Sequence, residues 1–245
     1  AGVRDPGASA RAPRGTGPVF DRNPIVRSGA LSLSSQSSAA KLTAQRARVK
    51  LLRLDPAPAD GRLRLDGAWV HMEDFVKPDI AEPSSPAGAF VFNAKDRNFL
   101  DVMVYVHIDR FQQYVQTTLG LSGMGSSSVR ADPQGENGAD GSTGSANGLS
   151  FGAGGVADAS DAMIVLHEYG HAIQNDQVDG FGSSAEGAAM GEGFSDFLAC
   201  TVHSSRTGLS DALWDPIVAA WDATSYSADD PPFLRRVDGT KQYPG

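Results

Sequence analysis

The chemistry in this sequence is concentrated in five consecutive residues, His167-Glu168-Tyr169-Gly170-His171. On a helix, positions i and i+4 share a face, so both imidazoles can point at one metal ion. Glu168 stands one residue on from the first histidine, about 100° round the helix. From there it can approach the open side of the metal, where a water would sit. Two histidine ligands and a glutamate base at this spacing form the HExxH arrangement of zinc hydrolases.

Catalytic zinc keeps three protein ligands and one open position. A third histidine six residues beyond the second is excluded, because position 177 is Gln177, and Gln174 stands where a glycine would be needed. A glutamate on a following helix is the alternative. Glu192 leaves room for one turn-back and a new helix, and Asp196 lies four residues further on the same face. A ligating histidine commonly donates its second ring N–H to a carboxylate, and Asp196 is positioned for that. Glu186 competes, but it lies about 240° round the helix from Glu192, so both cannot face the metal. The run Gly191 to Asp196 supplies both a ligand and its supporting carboxylate, which selects Glu192.

These residues need two helices. Ala162, Ile164, Val165, Leu166 and Ile173 predict one from Ser160 or Asp161 to about Asn175, and a second is expected from Ala185 to about His203. Asp179-Gly180 and Gly182 with two serines separate them. A longer helix is predicted over Asn93–Leu119, capped by Asn93 with Asp96 three residues on, and stopped by Gly120. Upstream, Val49–Leu54 and Leu63–Met72 read as strands around an Asp60-Gly61 turn, followed by a proline-rich loop. Residues 120 to 157 are rich in Gly, Ser and Asn, with a short strand expected near Phe151. The first 45 residues lack a sustained period and read as an extended lead, partly ordered against the body. No internal repeat is present.

Length and composition narrow the class. The 245 residues suffice for one large domain or two lobes. A formal net charge of −8 argues against a nucleic-acid partner held by phosphate neutralisation. No apolar run approaches the ~20 residues of a membrane span. A single cysteine, Cys200, excludes an intrachain disulfide framework and a cysteine-rich zinc site. The chain opens on Ala1 without a charged segment leading into an apolar stretch, so a processed product or a fragment is expected rather than a precursor with its signal peptide.

HEYGH followed by Met190 to Ala199 (MGEGFSDFLA) resembles the thermolysin and fungalysin group of zinc endopeptidases, the gluzincins. Their third-ligand motif is a Glu followed three and four residues later by Ser and Asp, matched by Glu192, Ser195 and Asp196. Gly154 to Asp161 resembles the lead into the zinc helix of bacterial fungalysin relatives. Ala89 to Asn93 and Tyr105 to Arg110 are similar to segments at and within the first helix. The resemblance spans roughly residues 88 to 243.

The resemblance implies an α+β, two-lobed zincin fold. Residues 1–45 would be the lead. Residues 46–180 would form a β-containing N-terminal lobe ending in the HExxH helix. Residues 181–245 would begin a helical lobe, incomplete here. It implies a secreted endopeptidase acting on polypeptide, with zinc held by His167, His171 and Glu192, Asp196 behind them, and Glu168 as general base. Substrate would lie along an edge strand that includes Leu149-Ser150-Phe151. Asn137 would grip the substrate backbone, and Arg235 would hold a substrate carbonyl. Calcium sites stabilise many relatives. Asp158, Asp161, Asp176 and Asp179 crowd the ends of the zinc helix, where calcium ligation and helix capping both stay open. Two departures stand out. The family's oxyanion-stabilising Tyr falls on Ser183, and its transition-state His would lie past Gly245, on a C-terminal segment that is lost or present as a cleaved partner chain. A non-catalytic zinc-binding or adhesion module, or an inactive protease fragment, is therefore the rival reading, against which the intact Glu168 argues.

Overall fold

A computed structural model describes residues 14–125, 127–206 and 212–240. The fold is α+β. Strand β1 (Gly15–Val19) and the short helices α1 (Pro24–Ser28) and α2 (Ala39–Thr43) precede β2 (Ala47–Leu51), which pairs antiparallel with β1. The described part of the lead is thus folded rather than extended; residues 1–13 of that expectation lie outside the described residues. Asn23 caps α1 by accepting from the Val26 N–H, with Pro24 at the first helical position. Val19, Phe20 and Ile25 are essentially sealed from solvent. The apolar content that lacks a period in sequence is spent on the core, one short element at a time.

The expected strand over Leu63–Met72 is two strands, β3 (Leu63–Arg64) and β4 (Val70–Met72). The chain folds back between them, with Asp66 bridged to His71 and the Gly67 N–H donating to the Val70 carbonyl. β5 (Ser84–Ser85), inside the proline-rich stretch, pairs with β3. Helix α3 (Asn98–Gln113) starts later than its capping residues suggest. Asn93 and Asp96 accept from the N–H groups of Lys95 and Asn98, so both serve the turns that lead into it. A π-helical turn over Tyr114–Thr118 carries the helix to its end. α3 is buried nearly all round, with Asp101, His107, Asp109 and Gln112 enclosed among its apolar residues.

The long Gly/Ser/Asn stretch is where the structure departs most from expectation. It holds three strands, β6 (Val129–Asp132), β7 (Ser142–Ser145) and β8 (Gly148–Phe151). They complete a four-stranded sheet in the order β4-β6-β8-β7, parallel except for β7. A two-residue loop, Ala146-Asn147, joins β7 to β8 and leaves β7 on the edge. Helix α4 (Ala162–Gln177) packs on that edge strand and on helix α5 (Ala185–Arg206). Strands β9 (Ile217–Val218) and β10 (Arg235–Arg236) pair antiparallel near the end of the chain.

Candidate metal centre

Helix α4 begins where Asp161 accepts from the Met163 N–H at 3.0 Å. The second Asp161 oxygen accepts from the Trp221 N–H at 2.9 Å, so this carboxylate caps the helix and ties it to the chain after α5. The helix then presents His167 and His171 on one face, their rings 4.9 Å apart. The Gly170 between them is set by packing. A Cβ there would stand 2.6 Å from Ser195 Oγ and 3.0 Å from Ser195 Cα on α5. α5 therefore crosses close enough to bring Glu192 over the two imidazoles.

Three contacts define the cluster. His167 Nε2 lies 3.2 Å from His171 Nε2 and 3.2 Å from a Glu192 oxygen, and the other Glu192 oxygen lies 3.4 Å from His171 Nε2. Bonds of about 2.0–2.1 Å to a tetrahedral ion separate neighbouring ligand atoms by about 3.3 Å. The three side chains therefore fit zinc in donor type and in spacing. Asp196 only accepts, so His167 donates to it from Nδ1, at 2.8 Å. That fixes the tautomer and leaves the His167 Nε2 lone pair facing the cluster. Glu186 is exposed in the first turn of α5 and lies outside it.

Arg235 on β10 binds Asp196 through Nε at 2.7 Å and Nη2 at 2.9 Å, a bidentate pair. Burial would push the Asp196 carboxyl up, but hydrogen bonds from His167 and Arg235 hold it below the usual carboxylate range. His171 is pushed down by burial and by His167 beside it, which favours the neutral, ligating form. Glu168 is buried next to the cluster and is pushed up to about 7, chiefly by burial, with Glu192 and Asp158 adding.

These residues face a cleft of about 900 Å³. One wall is β7, Ser142 to Ser145; Ser183, Tyr226 and Arg235 line other sides. Two expected substrate-binding residues are elsewhere. Asn137 sits on an exposed turn at φ 56°, its N–H donating to the Lys77 carbonyl, and does not line the cleft. Phe151 is fully buried on β8, one strand in from the edge. The cleft-lining edge strand is therefore β7 rather than Leu149-Ser150-Phe151, because the hairpin turn folds the polar segment outward. The expected acidic group at the helix ends also divides. Asp161 is a cap, Asp176 accepts from the Gly125 N–H, Asp179 is exposed, and Asp158 alone faces the cleft. Sequence reasoning missed β7, Tyr226 and Asp222; the Asn147-Gly148 pair was the available turn signal for the first of these.

No helix among the described residues is long and apolar enough to cross a membrane. No curated protein matches the chain. The family comparison meets the site directly, over less than half of the chain but over all of the histidine pair, Glu192 and Asp196. Residues 136–228 match the fungalysin metallopeptidase family (M36), so the part of the chain that carries the centre is similar to a family of metal-dependent peptidases.

Proposed function

We propose that the chain carries the centre of a secreted zinc endopeptidase in which His167, His171 and Glu192 hold zinc and Glu168 is the general base. The observation that carries this reading is the gathering of the two histidine Nε2 atoms, 3.2 Å apart, with the Glu192 carboxylate, whose oxygens lie 3.2 and 3.4 Å from them, and a buried carboxylate beside it. Zinc, when bound, supplies a Lewis acid that lowers the pKa of water and polarises a carbonyl. Glu168, pushed up to about 7, is matched to accepting a proton from the attacking water and delivering it to the leaving amine near neutral pH. Asp196 keeps His167 in the ligating tautomer. Arg235, lining the cleft and oriented by Asp196, is the candidate to hold a substrate carbonyl. β7 offers an edge for an extended peptide, and a groove walled by a strand edge accepts the middle of a chain, which favours internal cleavage.

The test is cleavage of a peptide blocked at both ends. Internal cleavage is expected, reduced about 10²–10⁴-fold in Glu168→Gln while zinc content stays the same. Zinc binding with no cleavage in the parent protein would favour the rival reading, a non-catalytic zinc-binding module or an inactive fragment. Cleavage only of peptides with a free end would replace endopeptidase by exopeptidase.

A further inference from the structure

The two histidines of the centre are supported unequally. His167 donates from Nδ1 to Asp196, which Arg235 holds in turn. His171 offers Nε2 to the cluster, and among the described residues its carboxylate contact is Glu192, again at Nε2. A neutral imidazole that ligates through Nε2 carries its proton on Nδ1. That N–H stands on the far side of the ring and needs an acceptor of its own. We propose that Gln174 is that acceptor, a positioning residue whose side-chain carbonyl holds His171 in the ligating tautomer. The assignment rests on the zinc reading of the same centre.

Gln174 follows His171 by three residues on α4, so the two side chains share a face of the helix. Gln174 is 9% exposed. Its Oε1 is sealed from solvent, and no donor meets it at full hydrogen-bond geometry. A buried carbonyl oxygen in that position is costly until a donor reaches it. Short of that geometry, Gln174 already acts on the His171 ring as a hydrogen-bond partner and raises its pKa, the direction expected when the ring donates. The packing of α5 brings the two groups together. A Cβ at Gly191 would stand 3.3 Å from Gln174 Oε1, 3.5 Å from His171 Nδ1 and 3.6 Å from His171 Cε1. Acceptor and donor thus lie against the same glycine, which has no side chain to come between them.

Gln174 also lines the cleft, so a donor on the substrate is the competing partner. The sealing of Oε1 argues against it, because substrate reaches only the exposed part of the amide. Support from Gln174 differs in kind from support by Asp196. An amide leaves the ring less basic than an anionic carboxylate does, so the weaker outer partner falls on the second histidine.

Chelator competition for zinc, with proton NMR of the cobalt(II)-substituted protein, tests the assignment. Gln174→Met keeps the length of the side chain and removes the acceptor; Gln174→Glu restores one. Zinc affinity is expected to fall roughly tenfold in Gln174→Met, the scale for loss of such a supporting partner, and to recover in Gln174→Glu. Bound cobalt shifts the N–H protons of its histidine ligands far downfield. The parent protein should show one such slowly exchanging resonance for each histidine. Gln174→Met should lose that of His171 to exchange with water and keep that of His167. Unchanged affinity with both resonances kept in Gln174→Met overturns the proposal, and so does a loss that Gln174→Glu fails to recover, which would mark a packing role. Unchanged zinc affinity with a raised KM would assign Gln174 to substrate instead. If Gln174→Met does not fold, the parent spectrum still decides: absence of a slowly exchanging His171 resonance overturns the proposal. A parent protein that takes up no zinc overturns the zinc reading itself, and this assignment with it.

Discussion

Gly144 of the edge strand lies against the backbone of Glu168: a Cβ at position 144 would stand 2.1 Å from the Glu168 carbonyl oxygen. The strand that walls the cleft and the helix that carries the base are thus in direct backbone contact. The opposing atom is main chain, so no rotamer change can relieve a clash.

Gly144→Ala is therefore expected to lower stability by about 1–3 kcal/mol and to move β7 off α4. Zinc affinity should change little, since the ligands sit on other elements, while cleavage of an extended peptide falls. Chelator competition and peptide cleavage on the same preparation separate the two effects.

Gly170→Ala should act on the other side of α4. Its methyl would meet Ser195, pushing α5 and Glu192 away from the histidines. The expected outcome is weaker zinc binding together with a lower Tm, whereas the Gly144 variant loses stability with its zinc affinity kept. Unchanged zinc affinity would mean that α5 can slide without carrying Glu192 off the cluster.

Asp196→Asn removes the negative charge and one of the two acceptor oxygens that His167 and Arg235 use. Loss of such a supporting carboxylate costs about 10–100-fold in metal affinity. Arg235→Lys should keep the charge but lose the bidentate fork, giving a smaller loss of metal affinity and a larger one in substrate KM. Zinc titration and steady-state kinetics check both.

Asp140, Asp158 and Asp222 on the cleft wall, one carboxylate oxygen of each within 4.8 Å of the others, predict a pH dependence of stability. Burial pushes Asp222 up to about 7, with Asp158 adding, and Asp158 up to about 6, with Asp140 adding and hydrogen bonds from Ser142 and Asp222 opposing. Between pH 4 and 7 the unfolded chain has released these protons while the folded chain still holds them, so stability falls as pH rises. Asp140 and Asp161 face Asp222 and act in the same direction, and Tyr226 donates to it. Asp222→Asn is expected to flatten this slope. Thermal unfolding across that pH range, with and without the substitution, reads the difference.

The parts of the site legible in sequence are those where chemistry and periodicity coincide. His167, Glu168 and His171 lie in an apolar helical run behind an acidic cap, and Glu192 and Asp196 repeat at helical spacing. The edge strand was hidden because Ser142-Thr143-Gly144-Ser145 has no apolar alternation. Its position comes from pairing with β8 and from contact with α4, both long-range. Asn137 lies off the cleft for a related reason: the hairpin sets which residues reach the cleft, and no apolar pattern marks it in sequence. The split of Leu63–Met72 into β3 and β4 depends on a reversal at Asp66-Gly67 that lies within an otherwise strand-like pattern. Asp222 carried no motif at all and acquires meaning only beside Asp140 and Asp158.

Arg22 lies in the segment between β1 and α1 and is 2% exposed. Its Nη2 donates to the carbonyls of Trp214 and Ile217, at 2.5 and 3.0 Å, and its own carbonyl accepts from the Ala162 N–H at the start of α4. β9 begins at Ile217 and pairs with β10, which carries Arg235. A residue far from any catalytic motif thus clamps the start of the metal-bearing helix to the strand pair that delivers Arg235. A trimmed version starting at residue 46 would contain every predicted ligand and yet lack this clamp. Redesign of the centre for another scaffold must carry the segment around Arg22 with it, or replace a buried guanidinium that no motif search would flag.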